Sequence, residues 1–383
     1  MAENTITGLI PEIYEALDIV SRELTGMIPS ATMNASSNTA AVGQAIRIDV
    51  EPAGNVSNIA PAMTVPDPTG QTSGFTDIII TKSRAAEFGF LGEDQKGLNT
   101  GAGYGTVRAN KIAQAIRAVT NEVETDLCGL QSTFSRAHGT AGTAPFGTAN
   151  DYTDASNVLK ILKDNGSPLQ DNQLVINTTA GVNLLGKQAA VADAGSDSIL
   201  RQGVLLDING MPIRESAQIN TVAAVGTSAN AVTTAGHAVG ITSIVLKAAG
   251  TGTILAGDVI TFAGDTNQYN VITGTGAVSG ATIVIAAPGL RQALPVGDKA
   301  ISIAAVSSRN MAFNRSAIVL AARAPARPTE GDMASDVIII TDPRSGLSME
   351  FAMYKGYRKV RYEVGLAWGV KNIKPEHTAL LLG

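Results

Sequence analysis

The sequence predicts an α+β fold that carries an inserted small all-β domain, and three patterns support that prediction. Apolar residues recur at helical spacing near the N-terminus and again over the long segment 106–130. Residues 221–305 consist of short Val/Ile/Thr runs separated by Gly-rich turns. Apolar and charged side chains alternate along 359–371, which is typical of a half-buried antiparallel strand.

Composition favours a protein that associates with itself. Of the 383 residues, 16% are charged, whereas ordinary soluble domains have roughly 25%. A soluble monomer with so few charges exposes large apolar patches, and such patches usually mark interfaces. The formal net charge is −5, so no basic excess is present for DNA, which we expect to be contacted only non-specifically. No secretion signal or apolar run of membrane-spanning length is visible, which predicts synthesis inside the cell and no membrane contact.

The chemistry-bearing residues do not assemble a recognisable active site. Cys128 is the single cysteine, and the three histidines, His138, His237 and His377, lie far apart in the sequence. This excludes an internal disulfide and makes a His/Cys metal centre improbable. We therefore expect no catalytic residues, no metal and no cofactor, and a protein that is not an enzyme.

The N-terminal segment 10–26 is predicted to be an amphipathic helix. Pro11 suits a first helical turn, and one apolar stripe follows at spacings of four, three and four: Ile13, Leu17, Val20 and Leu24. The Ser/Thr/Asn/Pro/Gly-rich segment 29–74 comes next, and within it only 45–50 alternates like a strand. We interpret the helix as an arm whose Leu17 contacts a neighbouring subunit. The alternative is a helix that folds back on its own domain.

The longest predicted helix, 106–130, carries charges in an unfavourable order. Arg108 and Lys111 lie towards its N-terminus, and Glu124 and Asp126 lie towards its C-terminus. The helix macrodipole favours the opposite arrangement by about 0.3–1 kcal/mol per charge in the end turns. We therefore predict that the basic end contacts carboxylates of an adjacent subunit and that the acidic end contacts its Lys or Arg residues. The alternative is that these side chains are simply solvated.

Shorter elements fill the remaining host sequence. Strands are predicted at 76–82, 173–177, 336–341 and 348–354, helices at 153–163 and 178–192, and the segment 312–321 has mixed character. Asn209-Gly210 lies between 204–208 and 211–215 and is a strong hairpin signal.

The predicted insert, 221–305, differs sharply from its flanks in charge. Its only charged residues are Lys247, Asp258, Asp265, Arg291, Asp298 and Lys299, which is 6 of 85 residues. Strands are expected at 241–246, 259–262, 269–273, 282–285 and 300–303. This pattern is typical of a small β-barrel or sandwich.

One motif suggests a phosphate-binding loop and is weighed against a plain helix. Gly181-Val-Asn-Leu-Leu-Gly186-Lys187 matches the first part of the motif, but Gln188 replaces the Ser/Thr that would hold magnesium. The bulky intervening residues favour a helix. A phosphate-loop enzyme therefore remains a weak alternative, and a β-rich surface or tail-type adhesion protein is the other.

Four segments, taken in order, resemble the major capsid proteins of tailed bacteriophages, in the podophage-type subgroup with an inserted β-domain. They are 203–216, 257–262, 309–320 and 357–376, the last reading Tyr-Arg-Lys-Val-Arg-Tyr-Glu-Val-Gly-Leu-Ala-Trp-Gly-Val-Lys-Asn-Ile-Lys-Pro-Glu. No single motif is specific, and the order of the segments carries the resemblance. Within the first 70 residues only the layout of a helix followed by a loop matches.

The resemblance implies the major capsid fold that tailed phages share with herpesviruses. It implies an N-terminal helical arm at 1–30, an extended loop region at 31–105, an α+β part at 106–220, the inserted domain at 221–305 and a closing β part at 306–383. The helix 106–130 would be the spine of the peripheral domain. Residues 70–97 would form the extended loop that reaches a neighbour, and the last strands would help build the axial domain.

The resemblance also implies the protein's partners. These would be further copies of itself, arranged as hexamers and pentamers of an icosahedral shell, together with a scaffolding protein, a portal and a decoration protein. The shell would form in the host cytoplasm, expand as it is filled with DNA, and become part of the virion.

Overall fold

A computed structural model describes most of the chain. The described residues are 10–20, 25–50, 59, 61, 63, 74–98, 103–148, 151–187, 205, 207–230, 232, 236–342 and 346–383.

Six α-helices are present in the described residues, and the predicted ones are recovered closely. They are α1 (Ile10–Val20), α2 (Met27–Ser30), α3 (Gly92–Leu98), α4 (Tyr104–Gly129), α5 (Thr153–Asp164) and α6 (Thr178–Lys187). The predicted helix 10–26 is confirmed as far as Val20, since residues 21–24 lie outside the described part. Residues 188–192 of the predicted helix 178–192 lie outside it too.

The strands follow in chain order. They are β1 (Thr32–Ala40), β2 (Ala45–Val50), β3 (Gly74–Ile79), β4 (Lys82–Leu91), β5 (Arg136–His138), β6 (Asn172–Ile176), β7 (Ile213–Glu215), β8 (Thr227–Ser228), β9 (Ser243–Val245), β10 (Gly252–Thr253), β11 (Val259–Phe262), β12 (Gln268–Thr273), β13 (Thr282–Ile285), β14 (Ile301–Ile303), β15 (Arg309–Asn314), β16 (Ile318–Pro325), β17 (Ala334–Thr341), β18 (Ser348–Gly356), β19 (Lys359–Asn372) and β20 (Thr378–Leu382).

The first sheet is built around β19. Its order is β1-β16-β19-β18-β17, and β4 also pairs with β19. The helix-facing residues of β19, including Tyr362, Leu366 and Trp368, belong to one apolar core with Ile116 and Val123 of α4. The sheet and the long helix therefore form one packed unit, and the predicted hairpin of β17 and β18 lies within it.

Two predictions about the first hundred residues are wrong. The segment 29–74 was expected to contain one strand, but Thr32–Ala40 also forms a strand, parallel to β16. Residues 70–97 were expected to form an extended loop, but β4 pairs with β19 from Lys82↔Trp368 to Leu91↔Lys359. Both errors have the same physical cause: distant strands supply the pairing partners, and local composition does not reveal them.

Part of this region forms a two-stranded ribbon, which we call the β2–β3 ribbon (45–50 and 74–79). Its strands pair antiparallel from Ala45↔Ile79 to Val50↔Gly74. Its inner residues Ile46 and Ile48 pack against a small separate core that includes Ile78 and Ile80. Most of the connection 51–73 lies outside the described residues.

The second sheet runs in the order β14-β11-β12-β5-β20-β15-β6-β7. Apolar residues of α5 and α6 pack on it, with Leu162, Leu174, Leu184 and Leu381 among the buried members of this core. The predicted mixed segment 312–321 resolves into the end of β15 and the start of β16, which lie in different sheets. The final strands are likewise divided, with β19 in the first sheet and β20 in the second.

The Asn209-Gly210 turn is confirmed, but its flanks are not a full hairpin. Ile208 and Met211 form a bridge around it, and φ is 55° at Asn209 and 73° at Gly210, as a type I′ turn requires. The following strand β7 pairs in parallel with β6. A parallel neighbour is not visible from the turn itself.

The predicted insert has a core of its own and a sheet that continues into the host. Its core includes Ile244, Ile260, Val271 and Ile283, and the predicted strands are found within two residues of their expected bounds. Strand β12 pairs with β5 of the host through Gln268↔Ala137 and Tyr269↔Arg136. The continuous sheet therefore connects the insert directly to the host.

Candidate functional site

The long helix α4 is the element on which most predicted contact residues lie. It spans 26 residues and buries one stripe on the core, comprising Ile112, Ala115, Ile116, Val119, Thr120, Val123, Glu124, Leu127 and Cys128. The stripe repeats at three and four residues, so the predicted apolar face is confirmed. The neighbouring elements of the fold determine which groups the charged residues of α4 contact.

The acidic end of α4 pairs within the chain. Lys82 Nζ donates to Asp126 Oδ1 at 2.8 Å and to Glu122 Oε1 at 3.2 Å, and Trp368 Nε1 donates to Asp126 Oδ2 at 2.8 Å. The hydrogen bond to Asp126 is the main cause that raises the pKa of Lys82. Asp126 was predicted to contact Lys or Arg of a neighbour, and it finds its cation in β4 of the same chain instead.

Glu124 is fully buried, so the prediction that it contacts another subunit is wrong. Its side chain is 0% exposed. It accepts hydrogen bonds from Met27 N at 2.7 Å, Ile28 N at 3.0 Å and Ser216 Oγ at 2.7 Å. Burial raises the pKa of this carboxyl, and the hydrogen bonds that it accepts act in the opposite direction.

The burial of Glu124 had one signal in the sequence. The residue lies four positions after Thr120, and it is adjacent to Val123 and four before Cys128, which places it on the buried stripe. Charge alone groups Glu124 with Asp126, whereas helical phase places the two residues on different sides of α4. The donors that satisfy it come from distant segments and could not be identified from sequence.

The basic end of α4 is the part that stays at the surface. Arg108 is half-buried, with its guanidinium carbon 5.3 Å from the centroid of the Tyr104 ring. Lys111 is exposed, and its Nζ lies 4.5 Å from the centroid of the Phe90 ring. Such cation–π contacts orient a charge without removing it from solvent. Lys111 is therefore the predicted contact residue that remains most accessible to a partner.

Leu17 packs on its own chain. It is 3% exposed and shares a core with Ile13 of α1 and Ile112 and Ile116 of α4. The alternative interpretation, a helix that folds back on its own domain, describes the structure. In the single chain Leu17 has almost no surface left for a neighbour.

The outer side of the β2–β3 ribbon carries exposed apolar side chains between charged ones, and sequence analysis did not identify it. Phe75 is 56% exposed, Ile79 is 52% exposed, and Val42 beside the ribbon is 59% exposed. The Arg47 guanidinium lies 3.7 Å from the centroid of the Phe75 ring and pairs with Asp77 at 3.2 Å. Apolar residues alternate with other residues in both 45–50 and 74–79, and this was the sequence signal for two strands. Their distance in the sequence gave no indication that they pair with each other.

The described residues do not assemble an obvious catalytic centre. No group of three or more His, Cys, Asp or Glu side chains among them could hold a metal ion. Burial raises the pKa of Cys128 to about 12, so its thiol is a poor nucleophile. No described helix has the length and apolar character needed to cross a membrane.

The phosphate-loop motif is part of a helix, as the bulky residues predicted. Gly181 N donates to Asn177 O at 3.0 Å, so an amide needed by a phosphate cradle is engaged in the helical turn. Lys187 Nζ donates to the Asp151 carbonyl and lies 5.0 Å from the centroid of the Tyr152 ring. These contacts support a structural role for Lys187.

Comparison with known proteins finds distant structural likenesses only. No family model matches the chain, and no curated protein matches it. A chain from Mycobacterium phage Che8 is similar at 15% identity and a TM-score of 0.45, covering 88% of this chain and 84% of that one. The capsid structure of the cyanophage P-SCSP1u is similar at 10% identity and a TM-score of 0.46, covering 92% of this chain and 86% of that one.

A third similar structure is the capsid of a native GTA particle. Its identity is 12% and its TM-score 0.45, covering 94% of this chain and 90% of that one.

Proposed function

We propose that this protein is a major capsid protein of a tailed bacteriophage, a structural subunit that self-assembles into an icosahedral shell around double-stranded DNA. The observation that carries the proposal is the β2–β3 ribbon, which presents Phe75 and Ile79 to solvent although both are large and apolar. Exposed apolar side chains on a two-stranded ribbon suit burial against a neighbouring subunit, which supports the proposed self-assembly. The low charge content and the order of the resembling segments support the same role.

The finer parts of the proposal rest on the sequence resemblance. Hexamers and pentamers of the chain would build a precursor shell in the host cytoplasm with a scaffolding protein, and that shell would expand on packaging. A portal and a decoration protein would be its other virion partners, and DNA would be contacted non-specifically. The role is structural rather than catalytic. The bounds 1–30, 31–105, 106–220, 221–305 and 306–383 are proposed as its functional parts.

Electron microscopy of the purified 383-residue protein, with a scaffolding protein co-expressed in a second arm, tests the proposal. Closed shells of uniform diameter are the expected product in at least one arm. Fibres would favour the adhesion-protein alternative, and a protein that stays monomeric in both arms would refute self-assembly.

A paired substitution tests the ribbon itself. Phe75→Ser and Ile79→Ser together are expected to leave a folded monomer that no longer assembles. Leu169→Ser is the matched control, because Leu169 is 73% exposed but lies on the turn before β6, outside the ribbon. Equal assembly by the ribbon variant and the control would remove the main support for the proposal.

A further inference from the structure

The β2–β3 ribbon is seated on one face of β19 that is made of small residues. Gly365, Ala367 and Gly369 alternate along that face. Ile78 and Ile80, both 0% exposed, pack there with Ala367 and with residues of β1 and β16. The predicted half-buried character of β19 therefore holds only for its first part, because Gly365–Gly369 is buried on both faces.

Gly369 is the point of closest approach between this seat and the ribbon. A Cβ atom at this position would lie 2.1 Å from Ile79 O, 2.9 Å from Ile79 C and 3.2 Å from Ile80 Cα. All three are backbone atoms at the end of the ribbon, so any side chain at 369 has to displace the ribbon's main chain. At Gly365, on the same face, a Cβ would meet side-chain atoms and no ribbon backbone: Pro325 Cγ at 3.1 Å and Glu350 Oε1 at 4.0 Å.

Hydrogen bonds hold the ribbon on both sides of this contact. Thr81 N donates to Trp368 O at 3.0 Å, and Ile80 N donates to Gln44 O at 2.9 Å. Lys371 Nζ donates to Asp77 O at 2.9 Å. The ribbon is thus anchored at two points along β19, near residues 368 and 371, with Gly369 between them.

We propose that Gly369 is a positioning residue that sets the direction in which the ribbon leaves the body of the subunit. This inference rests on the proposed function, because the direction of the ribbon decides which part of a neighbouring copy its exposed Phe75 face meets. The Gly369 contact and the Lys371 anchor are two residues apart on β19, and each strand of the ribbon has six residues. At ~3.3 Å per residue, a shift of ~1 Å at the seat therefore moves the far end of the ribbon by ~3 Å. A displacement of that size alters the angle between neighbouring subunits.

A distance measurement within the single subunit tests the positioning role directly. Spin labels are placed on Asp49→Cys, exposed at the far end of the ribbon, and on Gln114→Cys, exposed on α4. The buried Cys128 is not expected to react. Gly369→Ala should shift the mean label distance by about 2–4 Å, by the same lever arithmetic, while Gly365→Ala leaves it unchanged. Equal distances in all three proteins would overturn the inference.

A second variant keeps the inference testable if Gly369→Ala does not fold. Lys371→Met removes the outer anchor and adds no atom at the seat. In Lys371→Met, Gly369 should still set the direction of the ribbon, so the mean distance between the two labels should stay constant. The distribution of that distance should broaden, because one of the ribbon's hydrogen bonds is lost. A shifted mean would assign the direction to Lys371 and overturn the role of Gly369.

Assembly then separates this inference from the proposed function. Where the wild-type protein forms uniform shells, Gly369→Ala is expected to give shells of altered diameter or open sheets, and Gly365→Ala to give wild-type shells. Gly369→Ala shells of wild-type diameter would refute the link to subunit geometry. A wild-type protein that forms no shell would refute the proposed function, while the label distances would still decide the role of Gly369.

Discussion

The Glu124 carboxylate accepts a hydrogen bond from the Met27 amide at 2.7 Å, although the two residues are 97 positions apart. The same carboxylate binds Ile28 N and Ser216 Oγ. One buried side chain of α4 therefore connects the short helix α2 to Ser216, the residue that follows β7.

Glu124→Gln should destabilise the protein. The amide nitrogen of glutamine is a donor, and it cannot accept bonds from the donors that surround this site, so at least one buried donor loses its partner. The expected loss in the free energy of unfolding is roughly 1–3 kcal/mol, measured by urea denaturation at neutral pH. Glu122→Gln is the matched control on the same helix, because Glu122 is part-exposed and should change stability by less than about 1 kcal/mol. Equal losses would contradict the anchoring role.

The stability contribution of Glu124 should also depend on pH. Burial raises the pKa of Glu124 in the folded protein above its ordinary value of 4.5, so the folded state binds this proton more tightly than the unfolded state. The resulting contribution is fully present below about pH 4.5 and is lost as the pH rises through the folded pKa. The difference in unfolding free energy between wild type and Glu124→Gln should therefore be larger at pH 4 than at pH 7. A difference that grows towards neutral pH would reverse the sign of the argument.

Asp126→Ala should cost more stability than Lys82→Met. Removing Asp126 leaves Nε1 of Trp368, which is 0% exposed, without its acceptor, at a cost of roughly 1–3 kcal/mol. The Lys82 side chain is 32% exposed, so loss of its ion pairs should cost less than about 1 kcal/mol. Thermal unfolding of both variants is the measurement, and the opposite ranking would show that the ion pairs dominate.

Arg309→Met should stabilise the protein. Arg309 is 1% exposed, burial lowers its pKa, and its three side-chain nitrogens have no hydrogen-bond partner among the described residues. Asp258 attracts the charge and acts to raise its pKa, but burial outweighs this effect. Replacing a buried cation that makes no side-chain hydrogen bond within the described residues by an apolar side chain of similar length is expected to add about 1–3 kcal/mol to the unfolding free energy.

Arg136→Met is the control for that experiment, and it should have the opposite effect. Arg136 is 4% exposed, but it donates to Asn267 Oδ1 at 3.0 Å and to Asn165 Oδ1 at 3.1 Å. Its loss should destabilise by roughly 1–3 kcal/mol. Destabilisation by both substitutions would mean that Arg309 has a partner in solution.

Lys111→Glu should reduce assembly. Lys111 is exposed at the basic end of α4, where we propose that it meets carboxylates of an adjacent subunit. One exposed pair contributes little, but repetition across a shell multiplies the effect. Assembly yield should fall for the variant and depend on salt for the wild type, whereas Lys160→Glu on the exposed side of α5 should assemble normally. Salt-insensitive wild-type assembly together with a normally assembling Lys111→Glu variant would refute the contact.

Local sequence patterns were sufficient for elements whose signal lies within a few residues. The stripe of α4, the helix α5, the strand β11 and the turn at Asn209-Gly210 follow from periodicity and turn chemistry. The low charge of 221–305 likewise indicated a β-rich segment with its own core. These features depend on side chains that are close in sequence, because helical phase and turn dihedral angles are set locally.

The tertiary structure alone decided where the charged and polar segments go. The polar segment Thr32–Ala40 forms a strand because it pairs with β16. Glu124 is internal because hydrogen-bond donors of Met27, Ile28 and Ser216 surround its carboxylate. Gly369 of β19 lies against the backbone of Ile79 and Ile80, so closely that a Cβ at residue 369 would be 2.1 Å from Ile79 O. Each of these outcomes depends on residues far apart in the chain, and only the folded packing brings them within hydrogen-bonding or van der Waals distance.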